Sequence, residues 1–259
     1  MKAIRCEMLE RQRLEAWAGA YPPVRTPKRV LVVMAGNIPL VGFFDLLCVL
    51  ASGHACRVKP SSKDTVLIGY VVDLLRTIDP AIPLRMAEQG ERLDAVIATG
   101  SDNANRYFRM LFGGIPSLLR GSRQSVAVLS GRETAAELSG LEEDIFAYSG
   151  LGCRNVSLLF LPRGYMPELR CTALNEKYRR NYLRERALLR MCRMPFVDLD
   201  GAVLCEDRSF PAALSRIHYT FYDSLADVEA WLAAHDDRLQ CVVSQCVRHS
   251  RRVAFGRAQ

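Results

Sequence analysis

The residues with the most evident chemistry surround Cys153, in the segment Ser149-Gly150-Leu151-Gly152-Cys153-Arg154-Asn155. Gly150 and Gly152 allow the backbone to turn tightly and allow a second molecule to approach the sulfur closely. The segment leads from a predicted helix into an apolar strand predicted at 156–161, so the thiol would lie at the mouth of a sheet. A thiol there can act as a nucleophile, whereas a thiol inside an apolar helix usually only fills space. From these residues alone, a reactive and a structural Cys153 both stay open.

Asn37 is a second polar residue with two interpretations, because it lies in a loop between a predicted buried strand and a predicted buried helix. Its side-chain amide could cap the helix or could donate a hydrogen bond to a developing oxyanion. From the sequence alone we favour the cap.

Two further loops follow predicted strands, at the strand ends where open α/β sheets bind ligands. Gly100 and Ser101 open a predicted helix, and the unpaired N–H groups and the dipole of a helix N-terminus favour phosphate. Lys59-Pro60-Ser61-Ser62 follows the strand predicted at 55–59, although a turn with a surface lysine would have the same composition. No Gly-x-Gly-x-x-Gly segment occurs, so the sequence does not indicate a standard Rossmann pyrophosphate loop.

The elements that must position these residues alternate between strands and helices. Apolar, β-branched runs predict strands at 29–34, 55–59, 94–99, 125–129, 156–161 and 239–244. Helical spacing predicts helices at 42–52, 64–78 with Asp64 as the N-cap, 104–112, 166–191 and 225–234. This alternation indicates an open, doubly wound α/β domain, with a second unit beginning near Gly121.

Composition restricts the classes of partner. The net charge of +7 comes with scattered arginines, and no basic stripe is interleaved with aromatic residues, so the sequence predicts no nucleic-acid partner. The same charge would attract anionic small molecules such as a phosphorylated cofactor. The apolar stretch 30–51 is interrupted by Gly36, Asn37, Pro39 and Asp45, so we interpret it as strand, loop and helix rather than a membrane span.

The nine cysteines predict neither disulfides nor a metal centre. No Cys-x-x-Cys pair occurs, and the four histidines stand far apart, which argues against a zinc or iron–sulfur site. Residues 1–10 include four charges and no apolar signal core, so the protein is expected to be cytoplasmic, with most thiols reduced, buried and inert.

Taken together, these residues resemble a known family. Asn37, Lys59-Pro60-Ser61-Ser62, Thr99-Gly100-Ser101 and Cys153 occur in the order and approximate spacing of the aldehyde dehydrogenase superfamily. Three stretches, 35–40, 121–129 and 152–157, look like its acyl-CoA reductase (LuxC-type) branch, and the resemblance covers most of the chain from about residue 29. It implies an aldehyde-dehydrogenase-like α/β fold. A doubly wound cofactor-binding domain would span 1–122, and an α/β catalytic domain, expected to be incomplete at its C-terminus, would span 123–259.

The resemblance also implies a mechanism. Cys153 would take an acyl group from an acyl-CoA or acyl-protein donor as a thioester, and a nicotinamide cofactor would allow its reduction to the aldehyde. Asn37 and the backbone N–H of Cys153 would stabilise the oxyanion. Lys59 would contact the adenosine ribose, and Gly100 and Ser101 would lie near the cofactor phosphates.

Two departures from the wider superfamily refine these expectations. Leu119 stands where the oxidising enzymes carry a glutamate base, so water would be poorly activated and an acyl-enzyme would persist for reduction. Ser62, followed by Lys63, stands where many NAD-preferring relatives carry a glutamate that holds the ribose hydroxyls. A hydroxyl beside a cation accepts a 2′-phosphate that a carboxylate would repel, so NADPH is the expected cofactor.

Three functions therefore stay in view. The leading hypothesis is NADPH-dependent reduction of a fatty acyl-CoA to the aldehyde. The alternatives are another thioester-forming aldehyde or semialdehyde dehydrogenase, and a non-catalytic cofactor-binding relative. The protein could form a homo-oligomer, and no metal is expected.

Overall fold

The computed structural model describes residues 8–171 and 175–259. The chain divides into two compact units, Met1–Ser122 and Arg123–Gln259. Each unit has its own mainly parallel sheet with helices packed against it.

The first unit is a five-stranded parallel sheet in the order β3-β2-β1-β4-β5. Its strands are β1 (Arg29–Val33), β2 (Ala55–Lys59), β3 (Leu84–Met86), β4 (Ala95–Thr99) and β5 (Ser117–Arg120). Its helices are α1 (Arg11–Gly19), α2 (Phe43–Ala51), α3 (Thr65–Ile78) and α4 (Asp102–Phe112). Successive strands move outward from β1 first on one side and then on the other, which is the doubly wound arrangement that the sequence predicts.

Alternate residues of β1 explain why helices cover both faces of this sheet. Val30 and Val32 belong to a core cluster that also includes residues of α2 and α3. Leu31 packs in a separate cluster with β4, against Phe108 and Phe112 of α4. A strand that is buried on both faces needs a continuous apolar run, as in the sequence of β1.

The second unit is a seven-stranded sheet in the order β12-β11-β6-β7-β10-β9-β8, parallel except for the β8–β9 pair. Its strands are β6 (Gln124–Val128), β7 (Val156–Pro162), β8 (Val197–Asp198), β9 (Val203–Glu206), β10 (Arg216–Tyr222), β11 (Leu239–Ser244) and β12 (Arg252–Val253). Its helices are α5 (Ala135–Phe146), α6 (Glu176–Met191) and α7 (Leu225–Ala234), with short 3₁₀ turns at Ala147–Gly150 and Asp236–Arg238.

The central strand β7 is buried on both faces. Leu159 and Leu161 pack in one core cluster with α5 and with Tyr178 of α6. Leu158 and Phe160 pack in another with Val228 and Leu232 of α7. These two clusters of apolar side chains hold β7, the strand that follows the Cys153 turn, from both sides.

Most predicted elements are confirmed, and the differences have local causes. β2, α7 and β11 have the predicted bounds. Helix α6 begins at Glu176 rather than at residue 166, because the Asn175 side chain accepts a hydrogen bond from Tyr178 N and caps it. Residues 172–174 of that prediction lie outside the described residues. Asp64 is the N-cap residue of α3, as predicted, although its side chain makes no capping hydrogen bond.

Within residues 8–171 and 175–259, no helix has both the length and the apolar character needed to cross a bilayer.

Candidate active site

The candidate residues of the first unit follow three adjacent strands. Asn37 lies in the loop after β1, Lys59 ends β2, and Gly100 and Ser101 follow β4. Because β1 pairs in parallel with both β2 and β4, the carboxyl ends of these strands share one edge of the sheet. The direction of winding reverses between β1 and β4, and open α/β sheets bind ligands at such a switch point. The structure therefore brings these four residues to one edge.

The loop after β1 packs tightly on the loop after β2. A Cβ atom added to Gly36 would lie 2.3 Å from Ser61 Oγ, so only glycine allows this approach. The backbone N–H of Leu40 donates to Asp64 Oδ2 at 2.8 Å, and Leu40 itself has a φ of 57°. The Asp64 side chain therefore joins the two loops, which is why it makes no capping hydrogen bond to α3.

Asn37 is exposed in this loop and does not occupy the cap position of α2. The helix begins at Phe43, and its N-cap residue is Gly42. The capping interpretation favoured from sequence was therefore wrong, because the chain makes a further turn at Pro39 and Leu40 before the helix starts.

The positive side chains at this edge fit the phosphates of a dinucleotide. Lys59, Ser62 and Lys63 are all exposed, and Lys63 N donates to Ser61 Oγ at 3.3 Å, which shapes the turn. Two ammonium groups beside a hydroxyl form a donor set suited to an anionic oxygen.

The start of α4 suits phosphate less well than the sequence suggests. Ser101 Oγ accepts a hydrogen bond from Ala104 N and caps the helix. Asp102 then places a carboxylate in the first turn, where its Oδ1 accepts a hydrogen bond from Ser122 N at 3.0 Å. A negative charge at a helix N-terminus competes with phosphate for the same N–H groups.

Leu119, at the position where a glutamate base was expected in oxidising enzymes, packs against the core. Leu119 is half-buried and packs against the cluster of Leu31, Val96 and Ala98. Its neighbour Arg120 contacts both carboxylate oxygens of the buried Asp45, at 2.6 and 2.7 Å. Sequence reasoning missed this pair, because its members are 75 residues apart.

In the second unit, Cys153 is exposed on a turn immediately before β7. The turn closes with a hydrogen bond from Asn155 N to Gly152 O at 3.1 Å. A Cβ atom on Gly152 would lie 2.9 Å from Asn155 Oδ1, so glycine is needed for this geometry. The structure thus places the thiol at the amino end of a strand, as the sequence predicts.

Asn155 anchors this turn to the end of α5. The side chain is 5% exposed, and its Oδ1 accepts a hydrogen bond from Gly152 N at 2.8 Å. Its Nδ2 donates to the carbonyl oxygens of Asp144, Ile145 and Ala147 at 3.2, 3.1 and 2.9 Å. Sequence reasoning assigned Asn155 no role, although a lone amide between Cys153 and an apolar strand is a usable signal of such an anchor.

Ser125 holds the turn from the neighbouring strand. Its hydroxyl donates to the Cys153 carbonyl oxygen at 3.0 Å and accepts from Cys241 N at 3.2 Å. Cys241 Sγ donates to the same hydroxyl at 3.1 Å. Ser125 is fully buried, so its hydrogen bonds connect the Cys153 turn to β6 and β11 inside the core.

Opposing electrostatic effects act on the pKa of the Cys153 thiol. Desolvation by the surrounding protein raises the pKa of the Cys153 thiol above its ordinary value, although the side chain itself reaches solvent. Arg154, the Cys153 backbone N–H and Arg123 favour the thiolate and lower the pKa, but desolvation is the larger effect. Cys153 is therefore mainly a neutral thiol at neutral pH.

The residues just before this turn adopt an uncommon backbone conformation. Tyr148 and Ser149 have φ values of 51° and 55°, and Gly150 continues at 65°. Ser149 Oγ accepts a hydrogen bond from Asn175 N at 3.0 Å, which ties this segment to the start of α6. Non-glycine residues seldom adopt this region, and where they do the surrounding structure must hold them there.

The other cysteines differ from Cys153 in their surroundings. Among the cysteines in the described part of the chain, only Cys153 and Cys192 are exposed. Cys56 is fully buried, and desolvation raises its pKa to about 12, so it carries little thiolate at neutral pH. Across residues 8–171 and 175–259, no group of three or more His, Cys, Asp or Glu is arranged to hold a metal ion.

Comparison by sequence finds no relatives for this chain: no protein-family profile and no curated protein matches it.

Comparison by structure finds aldehyde dehydrogenases. The Mycobacterium tuberculosis aldehyde dehydrogenase complexed with NAD+ is 17% identical, with a TM-score of 0.61 over 78% of this chain. An NAD-dependent aldehyde dehydrogenase from Sinorhizobium meliloti is 10% identical, with a TM-score of 0.66 over 85%. An acetylating aldehyde dehydrogenase from Geobacillus thermoglucosidasius is 10% identical, with a TM-score of 0.57 over 85%.

These structures identify the fold. The chain spans 53%, 55% and 60% of the lengths of those three proteins. The expected aldehyde-dehydrogenase-like α/β fold is thus confirmed. The likeness to the LuxC-type branch rests on the sequence motifs alone.

Proposed function

We propose that this protein reduces an acyl thioester to the aldehyde through an acyl group carried on Cys153. The observation that carries the proposal is an exposed thiol on a turn that buried hydrogen-bonding side chains hold in place. An exposed thiol is accessible to a large donor such as acyl-CoA. A rigid turn keeps the attacking sulfur in one orientation, which lowers the entropic cost of reaching the transition state.

The acyl-transfer step requires the thiolate of Cys153. The sulfur attacks the thioester carbonyl carbon, a new carbon–sulfur bond forms, and the bond to the sulfur of coenzyme A breaks. The departing thiolate takes up the proton that Cys153 has lost. Because the pKa of Cys153 is raised, only a small fraction of the protein is reactive at neutral pH, and that fraction grows with pH.

Two groups are proposed to stabilise the oxyanion that forms during this attack. They are the Asn37 amide and the Cys153 backbone N–H. A preorganised donor of this kind contributes about 10²–10³ in rate in other enzymes.

A nicotinamide dinucleotide, when bound, supplies the hydride for reduction. Lys59 would contact the adenosine ribose, and Ser62 beside Lys63 would accept a 2′-phosphate on that ribose. The exposed cations at this edge favour NADPH, since the 2′-phosphate adds negative charge. Gly100 and Ser101 are proposed to contribute backbone N–H groups, against the opposing charge of Asp102.

Leu119 supports reduction rather than oxidation to the free acid. An apolar side chain packed in the core cannot activate water, so the thioester on Cys153 would survive until it is reduced. One of the matched structures is an acetylating aldehyde dehydrogenase. The long-chain specificity of the LuxC-type branch stays a prediction from its sequence motifs.

One observation favours a second function. A thiol with a raised pKa is a poor nucleophile at neutral pH, which suits a non-catalytic cofactor-binding protein. Incubation with radiolabelled butyryl-CoA at pH 8, followed by hydroxylamine, separates the two functions. Label that hydroxylamine releases from Cys153 supports the proposed enzyme, and absence of label on a protein that still binds NADPH supports the second function.

A further inference from the structure

A cavity of about 260 Å³ in the second unit adjoins the base of the Cys153 turn. Gly152 and Asn155, which close that turn, are part of its wall. Its volume lies just below the roughly 300–1,000 Å³ typical of pockets for drug-sized ligands. The cavity therefore suits a small organic group rather than a long acyl chain.

The wall combines apolar and positively charged side chains. Ile145, Tyr178 and Leu214 provide apolar surface, whereas Arg123 and Arg216 each bring a guanidinium group. Arg123 also acts on the Cys153 thiol, whose pKa it lowers, so this cation lies near both the sulfur and the cavity.

The positive charge at the cavity exceeds the negative charge beside it. Arg216 Nη2 lies 2.6 Å from Glu185 Oε2, and the other oxygen of Glu185 is 3.3 Å from Arg184 Nη2. The buried carboxylate of Glu185 thus faces Arg216 of the cavity wall and Arg184 outside it, and Arg123 is a second cation of the wall.

Part of Arg216 has no partner within the protein. Its Nε is buried and makes no hydrogen bond to any atom of residues 8–171 and 175–259. That atom has no accessible surface, so a ligand in the cavity would be held by the terminal nitrogens of the guanidinium group rather than by Nε. Ser157 Oγ donates to Gln124 Oε1 at 2.7 Å, which fixes the amide of Gln124 in the same wall.

We infer that this cavity binds the acid end of a short acyl substrate, such as the distal carboxylate of a four-carbon dicarboxylic thioester. The inference rests on the proposed function, since it places the reacting carbonyl at Cys153. Apolar side chains would contact the methylene groups, while Arg216 and Arg123 hold the carboxylate. Guanidinium groups recognise carboxylates through charge-assisted hydrogen bonds, so an uncharged acyl group of equal length would bind less well.

Direct binding tests the cavity without any reaction at Cys153. Calorimetry with the Cys153→Ala protein would compare succinate, the uncharged butyramide and inorganic phosphate. We expect succinate to bind at least tenfold more tightly than butyramide. Arg216→Lys keeps the positive charge beside Glu185 but removes the planar guanidinium group, and Arg123→Gln removes the second cation. Each should weaken succinate binding by roughly tenfold and leave butyramide binding unchanged.

Labelling of the wild-type protein then joins the cavity to the nucleophile. Succinyl-CoA should label Cys153 at least tenfold faster than butyryl-CoA, and this ratio should fall in both arginine variants. Using the ratio cancels any change in the reactivity of the thiol itself.

The outcomes separate the two proposals. Equal labelling by both thioesters would overturn the inference and leave the proposed function standing. No label from either would overturn the proposed function, and calorimetry alone would then decide the anion site. Phosphate binding more tightly than succinate would overturn the acyl assignment, because the anion would then come from a phosphate group.

Discussion

In the first unit, the candidate residues Lys59 and Ser62 lie exposed beyond the carboxyl ends of parallel strands. In the second unit, Cys153 precedes a strand, and the buried side chains of Asn155 and Ser125 hold its turn. Exposed charges attract and select a ligand, and they can change with little effect on the fold. A nucleophile positioned by buried hydrogen bonds depends on the packing around it, so function and stability are coupled there.

The largest effect should come from removing the nucleophile. Cys153→Ala should abolish hydroxylamine-sensitive labelling by butyryl-CoA, because no other exposed thiol lies on a comparable turn in the described residues. Cys192→Ala is the matched control, since that thiol is also exposed, and its labelling should equal that of wild type. Full labelling of the Cys153→Ala protein would remove the central claim.

The exposed loop that contains Asn37 should affect the turnover rate. Asn37→Ala should lower turnover by about 10²–10³ if its amide stabilises the oxyanion. Asn103→Ala, an exposed asparagine in α4, is the control and should change turnover little. Steady-state rates with butyryl-CoA and NADPH measure both. A fall of less than tenfold for Asn37→Ala would assign the oxyanion donors to other residues.

The buried anchor should affect stability. Asn155→Ala removes the acceptor of Gly152 N and the donor to three carbonyl groups, so the free energy of unfolding should fall by about 2–3 kcal/mol. Asn181→Ala, which loses one hydrogen bond within α6, should cost less than about 0.5 kcal/mol. Urea unfolding gives both values, and equal losses would mean that water replaces the Asn155 amide.

The exposed edge should control which cofactor is preferred. Ser62→Glu places a carboxylate where the 2′-phosphate is expected, so affinity for NADPH relative to NADH should fall roughly tenfold. Ser62→Ala removes the hydroxyl without adding charge and serves as the control. Fluorescence titration with both reduced cofactors measures the ratio. The same ratio in wild type and Ser62→Glu would place the adenosine end elsewhere.

The smallest effect concerns the charge state of the thiol. Because desolvation raises the pKa of Cys153, the thiolate fraction should keep rising with pH beyond about 8.5, the value of an unperturbed thiol. Alkylation of Cys153 by iodoacetamide should therefore reach its plateau at higher pH than that of N-acetylcysteine. Cys192→Ala protein confines the measurement to Cys153 among the exposed thiols described. A plateau below pH 8 would show that the arginines outweigh desolvation.

The sequence by itself determined the local elements around the site. Apolar runs and helical spacing gave β2, α7 and β11 their bounds, because burial on one or both faces imposes a pattern on consecutive residues. The glycines around Cys153 likewise indicated a turn before β7. No strand was predicted at β9, which is only four residues long, or at β10, whose sequence mixes polar and aromatic residues.

The tertiary structure decided which distant residues meet. Ser125 and Cys241 are 116 residues apart, Asp45 and Arg120 are 75 apart, and no local pattern in the chain pairs them. The start of α6 depended on which asparagine becomes a cap, and the role of Asp64 depended on a loop 24 residues away. The order of strands in a sheet sets these contacts, and a one-dimensional pattern records only which side of an element is buried.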